Sequence, residues 1–244
     1  MCITIVAMTA IAYIYTQEGF VIGADGRQLA VEMGTPCLES DSVTKISFFY
    51  AGNVHGAYAW TGPTRFQWGA SVFDLKEASL NVAFDLKEMA FDSLEDFTTQ
   101  FGLSVHEEFK LWLNSTGAGF GDLSNPEMAK AILVGYESGK PAVTAVYFPI
   151  ENGEWINPSL GKVPELNHAL TVLTGHEAAF KEMAANGQIR DCSTLSEGKN
   201  LIFDYISACA SVPFMGHNTI GGHIHIAAIT PADSGWMILP PFGE

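Results

Sequence analysis

Basic residues are scarce in this chain. Its 244 residues include 12 lysines and arginines against 27 aspartates and glutamates, which gives a formal net charge of −15. Nucleic acids and anionic membrane surfaces bind proteins through clusters of lysine and arginine, so we expect neither as a partner. We interpret the acidity itself as a contribution to solubility.

Cysteine is also rare, with four residues at positions 2, 37, 192 and 209. None of them forms a Cys-x-x-Cys pair, which argues against a zinc ribbon. Four cysteines in a chain of this length do not form the dense disulfide framework of small secreted domains. We therefore predict reduced thiols and a cytoplasmic protein.

Long apolar runs and internal repeats are missing as well. The apolar start, MCITIVAMTAIAYIY, has no basic segment typical of a signal peptide. It is also shorter than the ~20 residues that a membrane-spanning helix needs. The length suits one sheet-rich domain, and 16 phenylalanines and five tryptophans can fill a large core. We predict a single domain over residues 9–244, preceded by a short extension or propeptide over residues 1–8.

Short β-rich segments separated by turn residues dominate the first quarter of the chain. The strand Thr9–Tyr15, a turn ending at Gly19 and the strand Phe20–Ala24 predict a hairpin. A polar stretch, Arg27–Asp41, follows with no predicted strand. Further strands are expected at Thr44–Tyr50, before a turn through Gly52, and at Ala57–Thr61, before Gly62.

Helical patterns then appear in two places, and each is followed by strands. Thr64–Leu86 is helical in composition, and apolar residues recur every three or four positions between Phe91 and Leu113, which predicts a core-facing helix. The order strands, two helices, strands, two helices, strands predicts an α+β layered sandwich. The remaining predictions are a loop at Asn114–Asn125, strands at Ala131–Gly135 and Val143–Phe148, a tight turn at Asn152-Gly153, helices at Glu177–Asn186 and Leu195–Cys209, and strands at His223–Thr230 and Trp236–Leu239.

The first hairpin and the two strands that follow contain the groups needed by a nucleophile at a chain terminus. A threonine hydroxyl such as that of Thr9 is a weak nucleophile unless a base lies beside it. A free α-amine, with a pKa near ~8, can be that base. Lys45 and Asp25 can tune such an amine, and the N–H of a glycine such as Gly62 can hold an oxyanion.

The segment from Thr9 to Arg27 resembles the start of the mature β-type proteasome subunits. Those subunits begin with a threonine, a short strand, a turn glycine, a second strand and Asp-x-Arg, and this chain matches without a gap through Gly19 and Asp25. The family's catalytic lysine corresponds to Lys45, and its oxyanion glycine corresponds to Gly62.

The resemblance extends over nearly the whole chain. The segment 131–136 and the residues near Pro141 and Tyr147 resemble the family's central hairpin, and the segment 220–226 resembles its Ser-Gly-Gly strand entry. The region 70–125 is the least similar. The family's aspartate and serine before the glycine pair are here His217 and Ile220, and its Ser-Gly turn is Thr174-Gly175.

The resemblance implies a four-layer αββα sandwich and an N-terminal-nucleophile hydrolase that cleaves peptide or amide bonds. Thr9 would be the nucleophile and its own amine the base. Lys45 would lower the proton affinity of that amine, Asp25 would orient Lys45, and Arg27 would be mainly structural. No cofactor or metal is required. The resemblance also implies peptide or protein substrates, self-association into a ring or another homo-oligomer, and an unfoldase partner.

Three alternatives remain open at this stage. Eight residues precede Thr9, so its amine is free only if the Met8–Thr9 bond is cut or if translation starts at Met8. A chain that keeps them would be a non-catalytic subunit for assembly or binding. Removal of Met1 would instead expose Cys2 as the nucleophile of an amidase.

His223 and His225 lie on one strand face at a spacing that could bind a metal, although simple packing is the favoured interpretation.

Overall fold

The computed structural model of this protein describes residues 9–32, 35–117, 129–151, 154–162, 166, 170–213 and 217–241. Its elements follow the predicted order of strands, two helices, strands, two helices and strands, which is confirmed. The first eight strands are β1 (Ile11–Thr16), β2 (Gly19–Asp25), β3 (Gln28–Glu32), β4 (Thr35–Ser40), β5 (Ile46–Ala51), β6 (Val54–Thr61), β7 (Arg65–Trp68) and β8 (Ser71–Asp74).

Two helices, α1 (Leu75–Leu86) and α2 (Leu94–Thr116), separate these strands from the central ones. The central strands are β9 (Ala129–Glu137), β10 (Lys140–Phe148), β11 (Ile150–Glu151), β12 (Glu154–Trp155), β13 (Ser159–Lys162) and β14 (Leu170–Thr174). Helices α3 (Glu177–Ala185) and α4 (Leu195–Ala210) lead to the last two strands, β15 (Ile224–Ile229) and β16 (Ser234–Ile238).

Two five-stranded antiparallel sheets form the centre of the fold. The first has the order β14-β1-β2-β15-β16, and the second has the order β13-β10-β9-β6-β5. The predicted first hairpin is present, with Thr16 opposite Gly19 at its turn. Gly19 has a φ of 143°, and a Cβ at this position would lie 2.4 Å from the carbonyl oxygen of Ile229, so the turn requires glycine.

Alternate residues of β1 point to opposite faces of the first sheet, as the two-residue period of a strand requires. Ile11 and Tyr13 pack in a buried cluster with residues of the second sheet, such as Ile132 and Val134. Ala12 and Ile14 pack in a different cluster, with residues of α3 and α4. A third cluster joins α1 and α2 to the other face of the second sheet.

Helix α2 is stabilised by a buried apolar face and by capping residues at both of its ends. Phe97, Phe101 and Phe109 are fully buried on one face, which confirms the predicted core-facing stripe. Ser93 caps the N-terminus by accepting a hydrogen bond from the Asp96 N–H, and Gly117 ends the helix with a left-handed φ of 66°. None of the described helices is long and apolar enough to cross a membrane.

The prediction of helix over all of Thr64–Leu86 is wrong for its first half. Strands β7 and β8 form a hairpin there, and the helix begins only at Leu75. Phe66 and Phe73 lie opposite each other in this hairpin, and both rings contact Phe109 of α2. Burial of this aromatic pair against a distant helix stabilises the strands, and helical composition could not reveal that contact.

The polar stretch Arg27–Asp41, in which no strand was identified from the sequence, contains β3 and β4, which pair with each other. The predicted loop Asn114–Asn125 starts too early, since α2 continues to Thr116. The remainder of that loop, residues 118–125, and the predicted turn Asn152-Gly153 lie outside the described residues. The coarser prediction, a mixed fold of helices and antiparallel sheets, is confirmed.

Candidate active site

Asp25, the last residue of β2, is a fully buried carboxylate that is held by backbone donors. Its Oδ1 accepts a hydrogen bond from the Ala10 N–H at 2.9 Å. Its Oδ2 accepts hydrogen bonds from the N–H groups of Arg27 and Gly221, each at 3.2 Å. Such donors compensate a buried carboxylate for the loss of water, and the strand ends around Asp25 therefore fix its orientation.

Lys45 completes the environment of Asp25 and connects it to Thr9. Its side chain is only 7% exposed, and its Nζ lies 3.0 Å from Asp25 Oδ1. The same Nζ donates a hydrogen bond to Thr9 Oγ1 at 3.2 Å. Burial lowers the pKa of Lys45, while the charge of Asp25 and its hydrogen bond act in the opposite direction.

Thr9 is half-buried and lies just before β1. The residue after it, Ala10, accepts a hydrogen bond from the Asp25 N–H at 3.3 Å and donates one to the Asp25 side chain. The hydroxyl of Thr174 donates to the Ile11 carbonyl at 2.7 Å and accepts from the Ile11 N–H at 3.2 Å. Contacts on both sides therefore hold the start of β1, which places the Thr9 hydroxyl beside Lys45.

His225 of β15 supports Lys45 from the first sheet. Its fully buried ring accepts a hydrogen bond at Nε2 from the Lys45 N–H at 3.0 Å. An imidazole nitrogen that accepts is unprotonated, so the proton of this neutral ring lies on Nδ1. Burial, with a further contribution from the Lys45 charge, lowers the pKa of His225 to about 3.

His223 lies just before β15 and His225 lies within it, and the two histidines have different environments. His223 is half-buried, and its Nε2 lies 2.6 Å from the Leu239 carbonyl oxygen, whereas His225 binds the backbone of Lys45. In the part of the chain that the structure describes, no group of three or more His, Cys, Asp and Glu side chains could hold a metal ion.

We expect His225 to make the protein less stable in acid. In the unfolded chain this histidine takes up a proton near its ordinary pKa of 6.5, whereas in the fold it stays neutral down to about pH 3. Stability therefore falls as the pH drops from 6.5 towards 3, by up to about 1.4 kcal/mol per pH unit. The free energy of unfolding of His225→Gln, measured with urea across this range, should depend less on pH than that of the parent chain. His217→Gln, at an exposed histidine, should show the pH dependence of the parent chain. Equal slopes for His225→Gln and the parent chain would contradict this assignment.

Arg27 lies beside the site and forms contacts away from Thr9. Its guanidinium donates to both carboxylate oxygens of Asp41, at 2.6 and 2.9 Å, and to the Asn218 carbonyl at 2.8 Å. The hydrogen bond with Asp41 raises the pKa of Arg27 further above its usual range. These contacts tie β2 to the segment before β15, in keeping with the mainly structural interpretation of this residue.

Gly62 follows β6 and has a left-handed φ of 82°. A small cavity lies beside Thr9. Trp60 and Thr64, two residues before and after Gly62, line this cavity, but Gly62 is not among the described residues that line it. Its role as an oxyanion donor stays a prediction.

The cavity, with a volume of about 10 Å³, holds about one water-sized group. Besides Thr9, Trp60 and Thr64, its walls contain Arg27, Gln28, Lys45 and Lys76. Sequence reasoning missed Lys76, because it lies within a segment that was characterised only by its helical composition. It also missed the contact between His225 and Lys45, which are 180 positions apart.

The positions that depart from the proteasome pattern have varied surroundings. His217 is exposed, Asn218 provides its carbonyl to Arg27, and Ile220 is buried. Cys2, the alternative nucleophile, lies outside the described residues. Side-chain contacts thus bring together three of the predicted site residues, Thr9, Asp25 and Lys45, and Arg27 contacts Asp25 through its backbone N–H.

A comparison with models of known protein families finds no match, and a comparison with curated proteins finds no significant match. What the site does must therefore be inferred from its own residues.

Proposed function

We propose that this protein is a threonine-type N-terminal-nucleophile hydrolase that cleaves peptide or amide bonds. The observation that carries the proposal is the position of the Lys45 Nζ, which is buried and within hydrogen-bond distance of both Asp25 and the Thr9 hydroxyl. Burial of an ammonium costs free energy unless a partner compensates for the lost water. Here it has one partner in Asp25 and a nucleophilic hydroxyl on its other side.

We also propose that the chain has the fold of the proteasome-like family that it resembles. The sheet-to-sheet cluster and the two helix-to-sheet clusters support a four-layer αββα sandwich of the proteasome-like kind. By the same resemblance, we propose a cytoplasmic protein that self-associates into a ring or another homo-oligomer and receives substrate from an unfoldase.

In the proposed reaction, the neutral α-amine of Thr9 accepts the proton of the Thr9 hydroxyl. The Oγ attacks the substrate carbonyl, and the N–H of Gly62 stabilises the resulting oxyanion. The intermediate then expels the amine of the substrate, which takes the proton from the Thr9 ammonium and leaves an ester on Oγ. Water hydrolyses this ester, with the Thr9 amine again acting as base.

Lys45 has two effects in this scheme. Its hydrogen bond to Thr9 Oγ1 stabilises negative charge on that oxygen as the proton leaves. Its positive charge also lowers the pKa of a nearby α-amine, so that more of the amine is neutral at physiological pH. Asp25 keeps the ammonium in place and offsets part of the cost of its burial.

The mechanism requires a free amine on Thr9. Cleavage of the Met8–Thr9 bond would provide it, and so would translation from Met8 followed by removal of that methionine. Every described helix and strand lies between Ile11 and Ile238. A chain started at Met8 therefore keeps all of the described secondary structure.

A peptide epoxyketone tests the proposal, because this probe reacts with a hydroxyl and an amine on the same residue. We would express the chain from Met8, verify by intact mass that Thr9 is the first residue, and add the probe. We expect one adduct, located at Thr9 and absent from Thr9→Ala. The absence of an adduct on a chain with a verified Thr9 terminus would favour the non-catalytic alternative.

The chain of residues 1–244, treated in the same way, tests the remaining alternative. A thiol adduct at Cys2 that persists in Thr9→Ala would support a cysteine amidase instead. Intact mass of protein from its native source would show which terminus the mature protein has.

A further inference from the structure

Lys45 is held at two points, and only one of them is its charged end. Asp25 accepts a hydrogen bond from the Lys45 Nζ at 3.0 Å, and the His225 ring accepts one from the Lys45 backbone N–H, also at 3.0 Å. The strands that carry these two acceptors are neighbours, because β2 pairs with β15 in a register that places Asp25 opposite Ile224. One pair of strands therefore holds both ends of the lysine.

The backbone N–H of Lys45 needs the acceptor that His225 provides. Lys45 comes directly before β5, whose pairing with β6 begins at Ile46, so its N–H lies outside the described strand pairs. Lys45 is buried, and a buried N–H without an acceptor loses the hydrogen bond that it would make to water. The ring of a residue 180 positions away replaces that water.

The His225 ring is itself held in place. It is fully buried, and it packs edge-on against Trp236 of the neighbouring strand β16, with the two ring centroids 6.0 Å apart. Burial also keeps the ring neutral, because it lowers the pKa of His225 to about 3. The lone pair of Nε2 therefore remains available to the Lys45 N–H throughout the neutral and weakly acidic range.

We propose that His225 is a positioning residue for the Thr9 site: through the backbone of Lys45 it sets where the Lys45 ammonium lies beside the Thr9 hydroxyl. A lysine side chain has four flexible carbons, so its ammonium can stay paired with Asp25 while its backbone shifts. The 3.2 Å hydrogen bond from Nζ to Thr9 Oγ1 depends on the backbone as well. The catalytic consequence rests on the proposed function, whereas the positioning itself rests on these contacts.

Two amide variants that differ by one methylene group test the inference. In His225→Gln the side-chain oxygen extends about as far as Nε2 does and can accept from the Lys45 N–H, whereas in His225→Asn it is too short. His225→Leu has a similar volume and no acceptor, and it provides a second measurement if the asparagine chain folds poorly. His223→Gln is the matched control, because that histidine lies beside the Leu239 carbonyl instead. Urea titration checks that each chain folds.

The rate of epoxyketone labelling at Thr9, on chains started at Met8, is the first readout. We expect His225→Asn and His225→Leu to label about 10- to 100-fold more slowly than the parent chain, because a misplacement of about 1 Å costs up to that much. His225→Gln should retain most of the parent rate, and His223→Gln should label at the parent rate. Equal slowing in His225→Gln and His225→Leu would overturn the inference, since the acceptor would then have no part in the effect.

The pH dependence of labelling is a readout that a loss of stability alone would not change. With the Lys45 ammonium farther away, the pKa of the Thr9 amine rises, so the rate reaches its plateau at higher pH in the chains that lack the acceptor. The other charged groups at the site are Asp25, Arg27 and Lys76, and they are the same in every variant. A shift of this profile therefore reports the position of Lys45.

Nuclear magnetic resonance tests the position of Lys45 without any reaction. The Lys45 amide should exchange with deuterated water at least about tenfold faster in His225→Asn and His225→Leu than in the parent chain or His225→Gln. The Cε resonance of Lys45, assigned by its absence from Lys45→Met, should be displaced in the same two chains, because the ammonium beside it has changed its surroundings.

The two kinds of measurement separate this inference from the proposed function. Labelling of the parent chain and of every His225 variant at one rate would support the function and overturn the inference. A displaced Lys45 resonance in the two chains without the acceptor, with no labelling of the parent chain, would support the positioning and overturn the proposed function. Neither labelling of the parent chain nor a displaced resonance would overturn both.

Discussion

Asp25→Asn should destabilise the fold by about 3–5 kcal/mol, the usual cost of removing one partner of a buried ion pair. The substitution leaves the Lys45 ammonium buried without its carboxylate. It also places an amide NH₂ group among backbone donors, because the Asp25 oxygens accept from Ala10, Arg27 and Gly221. The measurement is the free energy of unfolding from urea titration near neutral pH.

Asp41→Asn is the matched control, since it removes the same charge from a pair that is 42% exposed on the carboxylate side. We expect it to cost no more than about 1 kcal/mol. The double variant Asp25→Asn/Lys45→Met removes both buried charges and should regain part of the loss. A cost for Asp25→Asn as small as that for Asp41→Asn would show that the buried pair is not formed in solution.

Lys45→Met should slow epoxyketone labelling of Thr9 by about 10²–10⁴-fold, the range for loss of a group that assists proton transfer or stabilises charge in the transition state. Without the ammonium, the Thr9 hydroxyl loses its charged donor, and the amine beside it stays protonated to higher pH. The rate is measured by intact mass over time, on the chain started at Met8.

Lys45→Met leaves Asp25 buried without its cation, so its folding must be checked by circular dichroism. The Asp25→Asn/Lys45→Met chain lacks both charges and provides the second measurement, with the same expected loss of labelling. Lys181→Met, on the surface of α3, should label at the parent rate. A labelling rate for both Lys45 variants within about tenfold of the parent would remove Lys45 from the mechanism.

Local signals in the sequence were sufficient for much of the architecture. The first hairpin was predicted from its turn residues and the stripe of α2 from the spacing of its apolar residues, and the structure contains both. The β7–β8 hairpin was missed because its strands are stabilised by contact with Phe109, about 40 positions away. The β3–β4 hairpin was missed because its two strands are short and the residues Gly34 and Pro36 near their junction are typical of loops.

The candidate site shows the same limit. Thr9, Asp25 and Lys45 were predicted because their order resembles a known pattern, and the structure brings the three side chains together. Nothing in the sequence near Lys76 distinguishes it from a surface lysine of a helix. Its position in the cavity follows from the hairpin that precedes α1 and from the Gln28 amide, neither of which has a local signature.

The hydroxyl and the ammonium of the site belong to different sheets, because Thr9 leads into β1 and Lys45 leads into β5. The His225 ring spans the boundary between these sheets, from β15 to the Lys45 backbone. The 3.2 Å distance between Lys45 Nζ and Thr9 Oγ1 therefore depends on the relative position of the two sheets. Any movement of one sheet relative to the other would change this separation, and with it the position of the ammonium beside the hydroxyl, without a change in either residue.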